Sequence, residues 1–179
     1  MKIMKSSLTA TAIGIVLLVV FTSFSLAQST KLTDPEIANI AVTANQIDID
    51  YAAVAKEKSK NAEVLKFAET MTNDHKAIIK QAVELVTKLK VTPKDNSVSK
   101  KLLADAEITK KTLRSKSGEA FDKAYIDNEV AYHKAVISTV EGTLVPSSEN
   151  AELKALLQKV VPALKAHLGH AEMIQKQHK

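Results

Sequence analysis

Four side chains able to hold a metal ion interrupt otherwise apolar patterns in this 179-residue chain: His75, His133, His167 and Asp48. Imidazole nitrogens and a carboxylate oxygen are donors that zinc takes in tetrahedral sites, and copper or nickel accepts the same set. Cysteine is absent, which excludes thiolate metal sites and thiol catalysis and leaves His, Asp, Glu and Met as candidate ligands. Asp74, Glu129 and His170 flank the four and could orient an imidazole. Met71, one turn before His75, would suit copper, although methionine among apolar neighbours is usually there for packing. His178 lies close to the C-terminus and is expected to be solvated.

The elements that must position these groups are helices. Val64, Ala68, Met71, His75, Ile78, Ala82, Leu85 and Leu89 alternate steps of four and three, which places them on one stripe of a helix running from about Ala62 to Lys90. A first helix is predicted from Thr33-Asp34-Pro35-Glu36, where a capping residue, a first-turn proline and an N3 glutamate coincide, to about Ser59. Its stripe of Ile37, Ala41, Ala44, Asp48, Tyr51 and Ala55 is interrupted once, by Asp48. The short connection at Ser59-Lys60-Asn61 makes these two helices an antiparallel hairpin. Ser97 to Arg114 forms a third helix with a weak stripe, read as a crossover. A fourth runs from about Glu119 to Glu141 with Asp122, Ile126, Glu129, His133, Val136 and Val140 on one face. After a loop over Gly142 to Asn150, capped by Asn150, the last helix carries Leu153, Leu157, Val160, Leu164, His167, Ala171 and Ile174. Pro162 lies inside it and should kink it.

The depth of each interruption decides whether the four can meet. At ~1.5 Å per residue, Asp48 lies ~16 Å before Ser59 and His75 ~21 Å after Asn61, while His133 lies ~21 Å past Glu119 and His167 ~15 Å before Gln177. The four then share one level within about a helical turn. From the other end the match is poorer, because His133 is 8 residues before Glu141 and His167 is 17 after Asn150. Either the last helix overshoots or the loop climbs. The competing reading is that each polar residue is satisfied by a neighbour, as in a His133–Glu129 or Asp48–His75 hydrogen bond.

Composition narrows the function classes. Hydrophobic residues make up 45% of the chain, glycine and proline number four each, and no period-two alternation appears, so one all-α domain follows. Residues 1–27 read as a secretory signal: Lys2 and Lys5 precede an apolar run from Ala10 to Phe21, then Ser25-Leu26-Ala27, with cleavage expected after Ala27. That run is shorter than the ~20 residues of a membrane span, so no stable transmembrane anchor is expected after cleavage. The location is then periplasmic or secreted. Without Lys2 and Lys5 the formal charge falls from +5 to +3, too mild for a nucleic-acid partner. Aromatic residues at 4% offer no stacking platform. No nucleophile elbow, P-loop or glycine fingerprint occurs, and no organic cofactor is expected. The paired Glu-x-x-His motifs of di-iron oxidases are missing, which argues against ferroxidase chemistry.

Three spaced motifs carry a resemblance. Phe67-Ala68-x-x-Met71-x-x-Asp74-His75, then Ser117-Gly118-x-x-Phe121-Asp122-x-x-Tyr125 with His133, then Pro162-x-Leu164-x-x-His167-Leu168-x-x-Ala171, resemble the DUF4142 family over about Thr33 to Ile174. The resemblance implies an exported bacterial protein with a ferritin-like helical fold, and it implies no activity. The family's acid in the first helix is here Asp48.

These readings combine into one expectation: a signal peptide at 1–27 and a ferritin-like antiparallel four-helix bundle with a short extra crossover helix at 28–179. It would bind one transition metal, zinc or copper, through His75, His133, His167 and Asp48, for stability, storage or stress protection. The alternative is a non-catalytic envelope protein with a polar, metal-free core and an unidentified envelope partner. An enzyme using the histidines as acid and base comes third, because nothing identifies a substrate and a buried site would need an access channel.

Overall fold

The computed structural model describes residues 31–177. The leader at 1–27 and His178 lie outside the described residues. Four of the five long helices begin where a side chain supplies the first unpaired backbone donors with an acceptor, or where proline removes one. In α1 (Asp34–Lys58) Pro35 occupies the first turn, and the Glu36 carboxylate accepts from both the Thr33 N–H and the Thr33 hydroxyl. Asn61 Oδ1 accepts from Glu63 N and Val64 N at the head of α2 (Ala62–Lys88), and Asn96 Oδ1 from Ser99 N at the head of α3 (Ser97–Arg114). Gly118 opens α4 (Gly118–Thr139) at φ 55°, a left-handed conformation costly for any side chain. Asn150 Oδ1 accepts from Glu152 N and Leu153 N at the head of α5 (Ala151–Gln177), which continues through Pro162.

All the secondary structure among the described residues is helical, and five long helices are present. The prediction for the end of the fourth helix needs correction. The chain does not enter a loop after Glu141 but continues in a π-helical turn, Val140–Leu144, and a short α-turn, Val145–Ser147. Pro146 fits there because it sits in the first turn of a new helical segment, where its missing N–H breaks no hydrogen bond. This lengthening levels the two helices. His133 is 14 residues before Ser147 and His167 is 16 after Ala151, so the climb that the spacing required is made by helix.

Helix α1 packs against α2 and α3, α4 against α5, and α2 against α5. α3 buries only Ser99, Ala106 and Leu113, as its weak stripe implied, and Lys110 ties it to α1 through Asp50 at 3.5 Å. The interior divides into two apolar clusters. One contains Tyr51, Phe67, Met71, Phe121 and Tyr125; the other contains Ile37, Ile40, Ile137, Leu144 and Leu157. Burial of this surface drives folding at roughly 25 cal/mol per Å². At the α1–α2 turn, the buried Ser59 hydroxyl donates to Asp122 Oδ1 at 2.5 Å, pinning the start of α4 to the turn. No helix of the described residues is long and apolar enough to cross a membrane.

Candidate metal centre

Between the two apolar clusters lies a polar layer. On α1, Asp48 falls between Ile40 of one cluster and Tyr51 of the other; on α4, His133 falls between Ile137 and Val130; on α5, His167 falls between Leu164 and Ala171. His75 follows Met71 by one turn on α2. Asp48, His75, His133 and His167 are 0%, 3%, 1% and 5% exposed. Burial of this kind is costly for groups without partners.

The structure brings these four together. Nitrogens of His75, His133 and His167 lie within 4.8 Å of one another, with ring centroids 5.3 to 5.8 Å apart. Asp48 Oδ2 is 3.3 Å from His75 Nε2 and 3.5 Å from His133 Nε2. A tetrahedral site with bonds of ~2.1 Å has ligand-to-ligand edges of ~3.4 Å, close to both of those distances.

The outer nitrogen of each imidazole meets an oxygen. His75 Nδ1 is 2.7 Å from Asn45 Oδ1, His133 Nδ1 is 3.0 Å from the Glu129 carbonyl, and His167 Nε2 is 2.9 Å from Asp74 Oδ2. An amide, a carbonyl or a carboxylate oxygen accepts, so the ring nitrogen facing it carries the proton. That leaves lone pairs on His75 Nε2 and His133 Nε2, with Nδ1 as the other nitrogen of His167. All three atoms, and both oxygens of Asp48, are buried without a hydrogen-bond partner. Unsatisfied buried polar atoms are each costly in a core, and five in one layer fit the donor set of a metal ion held by oriented imidazoles.

Electrostatics favours neutral ligands. Burial holds His75 down to about 3, helped by His133 and His167, and holds His133 down to about 4, with the bond to the Glu129 carbonyl opposing. Both rings are therefore unprotonated at neutral pH. Burial pushes Asp48 up to about 8, and burial together with the Asp48 charge pushes Glu129 well above the usual carboxylate range. A divalent cation would reverse that balance by favouring ionised carboxylates.

The flanking residues sort differently. Asp74, half-exposed, is the flanking acid that meets His167, at 2.9 Å from its Nε2. Glu129 reaches His133 Nδ1 through its backbone carbonyl, while its carboxyl Oε2 stands 3.5 Å away, fully buried and without a hydrogen bond. Glu129 also lies with Asp48 and His133 in a second group whose ligand atoms fall within 4.8 Å. His170 is elsewhere: its ring packs edge-on against Phe67 at 5.2 Å. It lies one turn beyond His167 minus a residue, and the helix rotates it toward α2's Phe67. Met71 packs in the apolar cluster. Asn45 was missed, although it lies one turn before Asp48 and so on the same side of α1. Tyr132 also escaped notice; its hydroxyl donates to the Ala44 carbonyl at 2.8 Å, joining α4 to α1 beside the site.

Comparison with known proteins adds two kinds of finding. The sequence profile of DUF4142, described as a domain of unknown function, matches residues 22–174. No curated protein matches the sequence. Among solved structures, a Streptomyces coelicolor protein described as secreted and named DUF305 is similar with a TM-score of 0.67 and 10% identity, covering 80% of this chain and 91% of its own. CopM in the Cu(II)-bound form is similar with a TM-score of 0.62 and 15% identity, covering 83% of this chain and 99% of its own. At these identities the likeness is one of fold.

Proposed function

The chain belongs to the DUF4142 family, and from that premise we propose that it is an exported helical protein that binds one transition metal ion through His75, His133, His167 and Asp48. In this reading the four long helices carrying those residues form a ferritin-like antiparallel bundle with α3 as the extra crossover helix. Export to the periplasm or beyond follows from the leader, and the bound ion serves stability, storage or protection of the envelope.

One observation carries the reading: three imidazole nitrogens and a carboxylate, all buried and all without hydrogen-bond partners, face one another while each ring's other nitrogen is held by an oxygen. Three imidazoles and a carboxylate suit zinc or copper(II). A bound ion would take up the three ring nitrogens and neutralise Asp48. Asn45, the Glu129 carbonyl and Asp74 would keep the rings aimed. The Cu(II) form of CopM supports including copper among the ions tested.

Calorimetric titration of the signal-free protein with zinc and with copper(II) tests this. One ion should bind with a Kd below about 10 μM, and His75→Ala should weaken binding. Binding no tighter than tens of micromolar, or unchanged by His75→Ala, sinks the proposal. A second reading, a metal-free envelope protein whose polar residues fix helix register, is favoured by the 3.3 Å approach of Asp48 Oδ2 to His75 Nε2, an ion-pair distance that needs no metal between them.

A further inference from the structure

A cavity of about 360 Å³ reaches the polar layer from outside. Its walls include Asp48, His75 and His133 at the polar end, Ala41 and Ala44 of α1 and Ala131 and Ala135 of α4. Ala131 and Ala135 are exposed, as is Asp105 of α3, which lines the same cavity. The opening therefore lies where α3 and α4 approach each other, a pairing far thinner than that of α3 with α1. The space has a cause in the sequence. Alanine, which leaves the most room of the apolar side chains, lines both walls at Ala41, Ala44, Ala131 and Ala135, and close packing normally leaves few voids larger than a water molecule.

We infer that this cavity is a binding site for a neutral, elongated apolar small molecule whose polar end rests against the Asp48–His75 wall. Size sets the scale. An apolar cavity of ~150 Å³ holds benzene, with its six carbon atoms, so 360 Å³ accommodates roughly 14 atoms of carbon size. That is the size of a medium-length alkyl chain or a two-ring aromatic, at the small end of ligand pockets. Charge sets the class. The lining contains the acids Asp48 and Asp105 but no lysine or arginine, so an anionic head group finds no counter-charge. The inner wall is mostly leucine, isoleucine and valine from α2 and α5, so a charged or branched polar ligand would be desolvated there without compensation. The inference stands on the cavity and does not need the metal.

Decan-1-ol and decanoate serve as probes, titrated calorimetrically into chelator-treated protein of the whole exported chain. Decan-1-ol should bind saturably and decanoate at least about tenfold more weakly. Ala135→Leu, at the mouth, and Ala41→Leu, deeper in, should each lower decan-1-ol affinity by about tenfold or more by filling the space, with helical circular dichroism unchanged. Zinc titration of Ala135→Leu should match wild type, so a failed metal site and a failed cavity site give different results. No saturable decan-1-ol binding, decanoate binding as tightly as decan-1-ol, or unaltered affinity in both folded leucine variants would overturn the assignment.

Discussion

Asn45 Oδ1 lies 2.7 Å from His75 Nδ1, so the nitrogen that this ring turns toward Asp48 carries a lone pair and no proton. The amide is thus a positioning group for a would-be ligand. Replacement by alanine should lower zinc affinity by about 10- to 100-fold without loss of helix content, since groups that orient ligands typically carry that weight. Asn45→Asp, which keeps an acceptor, should lose less. Equal zinc affinities in wild type and Asn45→Ala would show that the contact orients nothing.

The metal-free protein should lose stability between pH 6.5 and 8. His75 and His133 have folded values depressed to about 3 and about 4, so the stability they contribute is present above the unfolded value of ~6.5 and is lost as pH falls. Asp48 has a folded value raised to about 8; its proton is retained in the folded state where the unfolded carboxyl is ionised, so its share is lost as pH rises toward 8. Above pH 6.5 the two rings no longer contribute to the slope, and Asp48 and Glu129 govern it. The unfolding free energy from urea titration should fall over that range by on the order of 1 kcal/mol, and less in Asp48→Asn. A rising profile, or the same slope in Asp48→Asn, would contradict the assignment.

Joint replacement of His75 and His133 by leucine separates the two functional readings. The metal-free double variant should fold and melt at or above the wild-type temperature, because apolar residues of similar size often replace buried polar groups without loss. Wild type at zinc concentrations near 100 times Kd should gain about 2.7 kcal/mol, a rise of roughly 5 to 10 °C for a domain of this size, and the variant should gain nothing. A zinc-dependent rise that survives in the double variant would place the ion elsewhere.

The Ser59–Asp122 hydrogen bond, buried at 2.5 Å, predicts a purely structural effect. Asp122→Ala strands the Ser59 hydroxyl and should cost about 1 to 3 kcal/mol in chemical denaturation, with zinc affinity of the folded protein unchanged. Loss below 0.5 kcal/mol, read as about a surface effect, would remove this contact from the account.

Residue order alone determined the helices and the faces they bury. Periodicity at three and four residues follows from backbone geometry, so the stripes of α1, α2, α4 and α5, and the single polar interruption in each, could be read directly from the positions of His75, His133, His167 and Asp48. The starts at Thr33 and Asn150 were legible because a cap acts on donors two or three residues away, whereas the cap at Asn61 emerged only in the structure. Contacts across the molecule were not legible in this way. The helical run through Pro146 to Ser147 crosses a stretch whose glycine and proline signal a loop, and it brings His167 level with His133. The tertiary structure also decided that Asn45 serves His75, that His170 turns toward Phe67, and that alanines on α1 and α4 leave a cavity. A pattern along one helix specifies which face is buried, whereas the rotation and offset of helices against each other come from side chains on both, and only their joint packing decides which atoms meet.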